Sequence, residues 1–279
     1  MDYQLIALDI DGTLLNSKGQ LTPRVVRSVH RATEHGWRVC LVTGRRPRQS
    51  QPVAQALGIT TPLVAFNGAT ITDPLTLKPL RSRYLEARVA DSILRDWEEA
   101  GISAFTYRDT RHGPDVYYSH LPVWPQALAY IEVEGANMCR VESVATPRPW
   151  EPLRLMVMDD ESIAKKAQRL ADPHARADCT RTYLSQHYDR SWFFEVYPLT
   201  SKADGLQFLC SHFGIAPEQV VAVGDNVNDL DMLSVAGLGV AMGNGTQQCK
   251  EAADLVIGHH DEDGLAHFLD ELIQTSAAV

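Results

Sequence analysis

Positive charge is scarce in this chain: 26 Lys and Arg stand against 35 Asp and Glu, a formal charge of -9. That balance argues against a protein that coats nucleic acid or lies on an anionic membrane, since both rely on clustered cations. Long apolar runs are also missing, and none approaches the ~18 residues of a membrane-spanning helix. The five cysteines (Cys40, Cys139, Cys179, Cys210, Cys249) are scattered, with no CxxC pair. That excludes a disulfide framework or a thiolate zinc site and fits a reducing compartment. The ten histidines show no HExxH spacing. There is no internal repeat, low-complexity tract or Pro/Gly-rich linker. At the amino terminus the second residue is acidic and Asp9 interrupts the apolar stretch, so it does not read as an export signal. A cytoplasmic location is the expectation.

What is present suits a folded enzyme. A chain of 279 residues, 44% hydrophobic, can bury one large core or two modest ones. Short apolar runs at Gln4–Leu8, Arg38–Val42 and Leu63–Phe66 read as buried strands. They alternate with helices over 23–35, opened by Thr22-Pro23, and 48–57. The rhythm returns late in the chain. A helix over 202–213 capped by Ser201 leads to strands at Val220–Val223, Leu238–Ala241 and Leu255–Ile257, with helices over 228–236, 246–253 and 264–274 between and after them. Such alternation predicts an α/β fold with a parallel sheet covered by helices.

Between these blocks the pattern changes to paired short strands, Ser103–Tyr107 with Val116–Tyr118 and Arg140–Val144 with Leu153–Met158, beside helices over 87–100 and 161–171. Residues 83–195 therefore read as an inserted α+β domain, and 1–82 with 196–279 as a discontinuous core. The insert holds 14 of the 21 aromatics, where composition alone would place about eight or nine. A small core filled with rings accounts for this, and so does a ligand-facing surface.

The chemistry concentrates at strand ends. Asp9 and Asp11 end the first strand in Asp9-Ile10-Asp11-Gly12-Thr13. In an extended chain residues i and i+2 share a side, so both carboxylates can enter one site. Two carboxylates held together need a cation, most simply Mg2+; a turn with two solvated acids is the other reading. Asp225 and Asp229 lie four apart at a helix start with Asn228 beside them, either a ligand face or an acidic first turn. Thr43-Gly44 follows another strand, where a hydroxyl and backbone N–H groups can hold phosphate. Lys202 sits in a first turn, which disfavours cations. It is either a solvated lysine or a charge drawn inward to an anion, and it is one of only two Lys/Arg in the last 84 residues. In an open parallel sheet ligands bind at the carboxyl ends of strands, where these groups would meet. A dinucleotide loop at Gly237-Leu238-Gly239 is excluded, because it follows a helix and enters a strand. Arg45, Arg46 and Arg48 read as a solvated turn or as help for an anionic substrate.

In this order DIDGT (9–13), TGR (43–45), Lys202 and GDNVND (224–229) resemble the four motifs of the haloacid dehalogenase superfamily. Phe66-Asn67-Gly68-Ala69, Ala241-Met242-Gly243-Asn244 and the large insert resemble its Cof-type sugar-phosphatase branch. The resemblance implies a Rossmann-like core with an inserted cap that selects substrate, and Mg2+-dependent hydrolysis of small phosphorylated metabolites. Asp11 points to phosphatases and phosphomutases, because the dehalogenases of the superfamily lack it. Carried over, Asp9 is the nucleophile and Asp11 the acid and base. Mg2+ is held by Asp9, the Asp11 carbonyl and Asp225, with Asp229 behind them or ligating directly. Gly12, Thr43, Gly44, Lys202 and Asn228 surround the phosphoryl group, with Arg45 and Asn67 on the substrate side. His112, Tyr117, Tyr118, His187, Tyr188 and Arg190 are polar candidates within the insert. Ala203 departs from a frequent glycine. The competing functions are a phosphomutase on the same scaffold and a non-catalytic sensor of phosphorylated metabolites; the second is disfavoured because all four functional groups remain. The partner is a small phosphate ester.

Overall fold

The computed structural model describes residues 3–146, 148–175, 180–186 and 191–276, so His187, Tyr188 and Arg190 lie outside the described residues. The chain divides into two compact units, Met1–Arg81 with Ser201–Val279, and Ser82–Thr200.

The first unit is a parallel α/β layer structure. Its first half runs β1 (Leu5–Leu8), α1 (Pro23–Glu34), β2 (Arg38–Leu41), α2 (Pro47–Ala56), β3 (Leu63–Ala65), β4 (Thr70–Thr72) and β5 (Pro79–Ser82). The second unit follows with α3 (Ala87–Glu99), β6 (Phe105–Tyr107), β7 (Val116–Tyr118), α4 (Pro125–Glu134), β8 (Met138–Arg140), β9 (Arg154–Asp159), α5 (Glu161–Ala171), β10 (Thr180–Gln186) and β11 (Trp192–Pro198). The chain then returns to the first unit through α6 (Lys202–Phe213), β12 (Val220–Gly224), α7 (Leu230–Val235), β13 (Leu238–Ala241), α8 (Gln247–Ala252), β14 (Leu255–Val256) and α9 (Gly264–Ser276).

The main sheet has the order β14-β13-β12-β1-β2, with every pairing parallel. Residues of β1 and β12 are buried along their whole length, as expected of strands covered on both faces. Alternate residues feed opposite cores. Ile6, Leu8, Val39, Leu41, Val221 and Val223 pack with residues of α1, α2 and α9. Leu5, Ala7, Cys40, Val220 and Ala222 pack with α6, α7 and α8. Thr22 accepts the Val25 N–H ahead of Pro23 to start α1, and a Ser201/Asp204 capping box starts α6. Leu8 pairs with both Val223 and Leu41, so β1, β2 and β12 end level. Chain order reverses between β1 and β12, the switch point at which such sheets bind ligands.

Several expectations are corrected. β3 meets the main sheet only at the Val42–Val64 bridge and pairs antiparallel with β4, because residues 66–68 turn the chain back. In the second unit β6 pairs with β7 as expected, but residues 141–144 are not a strand beside β9. The Ser143 hydroxyl and the Val144 N–H both donate to the Glu98 carboxylate on α3, which diverts this segment into a loop. β9 pairs instead with β11 and β6. The second unit also reaches beyond residue 195, since β11 stays in register with β10 through Pro198. Among the described residues no helix is long and apolar enough to cross a membrane.

Candidate active site

Asp9 follows β1 directly, its N–H donating to the Val223 carbonyl at 3.0 Å. The residue is 5% exposed, and Oδ1 accepts from the Lys202 ammonium at 2.6 Å. Lys202 is the first residue of α6 and 1% exposed, so the first-turn cation is drawn inward and is not solvated. The same ammonium donates to Asp229 Oδ1 at 2.5 Å. The second oxygen of Asp229 accepts the N–H groups of Asp225 and Asn226, both at 3.0 Å. With three donors on its two oxygens, Asp229 orients the β12 loop and Lys202 together.

Asp225 completes the cluster. Carboxylate oxygens of Asp9, Asp225 and Asp229 lie within 4.8 Å of one another, all three residues buried. Asp225 Oδ1 is buried without a hydrogen-bond partner. Burial is the largest cause that pushes Asp9 up to about 7, with the Lys202 charge opposing it and Asp229 and Asp11 adding to it. Burial also leads for Asp225, pushed up to about 8 with Asp9 and Asp229 adding to the rise. For Lys202 burial works downward, but Asp229 and Asp9 outweigh it and hold the ammonium above its ordinary value. A buried, net-negative set of hard oxygens with one unpartnered carboxylate oxygen suits Mg2+.

Asp11 stands differently from the extended-strand expectation. The strand ends at Leu8, and Leu14 and Leu15 both donate to the Ile10 carbonyl, so residues 10–13 turn. The Asp11 side chain is 59% exposed and is gripped at both oxygens by Arg45, Nε to Oδ2 at 2.7 Å and a terminal nitrogen to Oδ1 at 2.5 Å. Gly12 makes this turn possible. Its φ is +78°, and a Cβ there would sit 2.2 Å from Asp225 Oδ2.

Thr43 is buried, with its hydroxyl accepting the Arg45 N–H at 3.1 Å. Gly44 lies against Asn67, whose amide oxygen would be 3.2 Å from a Cβ at that position. Phe66 and Asn67 have φ values of 49° and 51°, a left-handed pair that is costly for a bulky residue and typical of functional sites. Asn67 Oδ1 accepts from the Asn228 amide at 2.9 Å. Sequence reasoning quoted Thr13 and Asn244 within motifs but gave neither a role. The Thr13 hydroxyl is buried without a partner. Asn244 donates to the Gly12 carbonyl at 2.7 Å and accepts the His260 N–H at 3.0 Å. The short polar segment after β13 was the available signal for Asn244.

The chain is similar to known proteins over nearly its whole length. A family model for haloacid dehalogenase-like hydrolases matches residues 6–269. The pyridoxal phosphate phosphatase YbhA of Escherichia coli is 30% identical over 286 residues, covering 96% of this chain and 98% of that protein. The 5-amino-6-(5-phospho-D-ribitylamino)uracil phosphatase YitU of Bacillus subtilis is 29% identical over 274 residues, covering 96% of each. A solved haloacid dehalogenase-like hydrolase from Bacteroides thetaiotaomicron superposes with a TM-score of 0.82 at 25% identity, over 97% of this chain and 99% of that one.

Proposed function

The chain belongs to the haloacid dehalogenase-like hydrolase family, and from that membership we propose a Mg2+-dependent phosphatase of small phosphorylated metabolites that works through an aspartyl-phosphate. That it is an enzyme hydrolysing phosphate esters follows from full-length relatives that are phosphatases. The observation that carries the finer reading is the Lys202 ammonium bridging Asp9 and Asp229 beside the unpartnered oxygen of Asp225.

Asp9 attacks phosphorus with its carboxylate while the bond to the leaving oxygen breaks, and Asp11 gives that oxygen its proton. Asp11 then takes a proton from water as the water attacks the aspartyl-phosphate, which releases phosphate and restores Asp9. Lys202 offsets the charge of Asp9 and of the phosphoryl oxygens, so nucleophile and anion can approach. Thr43, Gly44 and Asn228 bind the phosphoryl oxygens, and Asn67 holds the Asn228 amide in place. Gly12 keeps the loop close to Asp225. Asp9, the Asp11 carbonyl and Asp225 would hold Mg2+, with Asp229 behind them; when bound, the ion supplies charge neutralisation for the acids and the phosphoryl group. Substrate selection is assigned to the second unit, where His112, Tyr117 and Tyr118 are the described polar candidates.

A panel of sugar phosphates, phosphorylated cofactors and nucleotides, assayed for free phosphate with and without Mg2+, tests the reading. One substrate should release stoichiometric phosphate only with Mg2+, and Asp9→Asn should abolish release while circular dichroism stays unchanged. Conserved total ester with positional isomerisation would replace hydrolysis by mutase chemistry. Undiminished release by the Asp9→Asn variant would remove the nucleophile assignment.

A further inference from the structure

A second group of metal-binding donors stands in the first unit, composed of different atoms from the aspartate cluster. His259, His260 and Asp261 each offer one ligand atom, all within 4.8 Å of one another. Backbone partners fix the role of Nδ1 in both rings. His260 Nδ1 lies 2.9 Å from the Leu15 carbonyl; a carbonyl only accepts, so Nδ1 bears the proton and the neutral ring presents a lone pair at Nε2. His259 Nδ1 lies 3.1 Å from the Asp261 N–H; an amide N–H only donates, so this Nδ1 keeps its lone pair. Both nitrogens stand 3.8 Å from the same oxygen, Asp261 Oδ2. The other oxygen, Oδ1, accepts the Ser17 N–H at 2.8 Å, which anchors that end of the carboxylate and leaves Oδ2 able to swing about it. With the His260 ring neutral, three acceptors thus face one another, and a cation, whether a proton on Nε2 or a metal ion, relieves that repulsion.

The buried part of this group is built to stay in place. His260 is 8% exposed; its ring is tied to Leu15 and its N–H to Asn244. An imidazole whose far nitrogen donates to a carbonyl has the orientation and basicity of a metal-ligating histidine. The exposed members, His259 and Asp261, each with 41% of the side chain accessible, are free to adjust. Donors about 2.1 Å from a tetrahedral ion are roughly 3.4 Å apart, so each nitrogen–oxygen gap of 3.8 Å closes by a few tenths of an ångström, while the two nitrogens start within 4.8 Å of each other. Closure gives up the hydrogen bond at His259 Nδ1, and water replaces that partner for the exposed Asp261 N–H.

We infer that His259, His260 and Asp261 form a binding site for a borderline transition-metal ion, with Zn2+ best matched to the donors. Two imidazoles and one carboxylate suit Zn2+ or Co2+, whereas Mg2+ prefers oxygen alone. The fourth position is left to water.

Titration of the full-length protein with Zn2+ and, as a spectroscopic probe, Co2+ in saturating Mg2+ tests the site without reference to catalysis. The wild type should bind one equivalent, with Co2+ giving the visible absorption of a tetrahedral nitrogen–oxygen site. His260→Gln and His259→Ala should each weaken binding by about tenfold or more, while Asp9→Asn should leave it unchanged. His259→Ala alters an exposed ring, so its fold is checked by circular dichroism and its result stands if His260→Gln unfolds. Equal affinity and stoichiometry in His259→Ala and wild type would overturn the inference. So would complete displacement of Zn2+ by millimolar Mg2+.

Discussion

Replacing Lys202 with Met removes a charge from a cluster that water barely reaches. The lysine side chain is 1% exposed, that of Asp9 6% and that of Asp229 0%. Methionine is close to lysine in volume, so the cavity contribution is small and the electrostatic one dominates. Taking one partner from a buried ion pair costs about 3–5 kcal/mol, because the remaining charges stay buried without compensation. Protons relieve part of that cost. Asp9 and Asp225 are held by burial above the ordinary carboxylate range, and Lys202 opposes the rise in both; its loss drives both further up. A carboxyl raised in the folded state keeps a proton that the unfolded chain has released, so the folded form binds more protons and stability falls as pH rises through that window. The window runs from the ordinary carboxylate range to about 7 and 8 in the wild type and extends higher in the variant. Urea unfolding followed by circular dichroism in chelator, near pH 5.5 and near pH 8.5, reads both effects. The expected loss approaches the upper end of ~3–5 kcal/mol near pH 8.5 and is smaller near pH 5.5. Turnover should fall by about 10^2–10^3, as for loss of a positioned electrostatic stabiliser. A loss below about 1 kcal/mol near pH 8.5, or a larger loss at the lower pH, would refute the reasoning.

Gly12→Ala should reduce phosphate release more than tenfold and lower stability by about 1–3 kcal/mol, since it meets both a positive φ and the Asp225 carboxylate; thermal unfolding and the phosphate assay check it. Arg45→Lys loses the two-pronged grip on Asp11. The pair is partly exposed, so stability should move by less than about 1 kcal/mol, while turnover falls by about 10^2 from a misplaced acid–base group. In the second unit, burial raises the Glu98 carboxyl, but donation from Ser119, Ser143 and the Val144 N–H outweighs it and leaves the group below its ordinary value. Its stabilisation is therefore present above the unfolded carboxylate pKa and lost as pH falls through the folded one. Glu98→Gln should cost about 1–3 kcal/mol near neutral pH, and the gap from wild type should shrink on acidification, as read by urea unfolding at several pH values.

The parts of the fold written in short-range periodicity were the legible ones. The apolar runs at 5–8 and 220–223 need two buried faces, and that requirement leads to a parallel sheet with ligand-bearing strand ends. Lys202 was legible because a cation in a first turn is locally unfavourable and needs a distant reason. Asp11 was misread in part, since the i, i+2 argument holds only while the chain is extended and β1 ends at Leu8. Residues 141–144 were misread because what diverts them is the Glu98 carboxylate, more than forty positions away. Asn244 was quoted within a motif but given no role, because its task is to hold a backbone carbonyl and no pattern of side-chain types announces that.

The uneven charge follows the same division between local and distant causes. Residues 1–82 carry ten Lys/Arg and five Asp/Glu, and residues 196–279 two and twelve, so bulk charge alone predicts that attraction between these segments organises the core. Only part of the contact between α1 and α9 has that character, in Arg31 with Asp270 at 2.8 Å. Arg24 meets a histidine, His267, and not an acid, and neutral donors reach the other acids in and just before these helices: Ser28 to Asp270, Thr22 to Asp263 and the Ser17 N–H to Asp261. The most buried pair between the halves runs against the trend, with the cation, Lys202, from the acidic segment and the anion, Asp9, from the basic one. An exposed pair such as Arg31–Asp270 is worth about 0–1 kcal/mol, whereas breaking the Lys202–Asp9 pair costs several times that. The energetically decisive pairing is therefore the one that opposes the bulk asymmetry. Arg31→Ala should accordingly change stability by less than about 1 kcal/mol, and a loss comparable to that of Lys202→Met in the same urea assay would reverse this ranking.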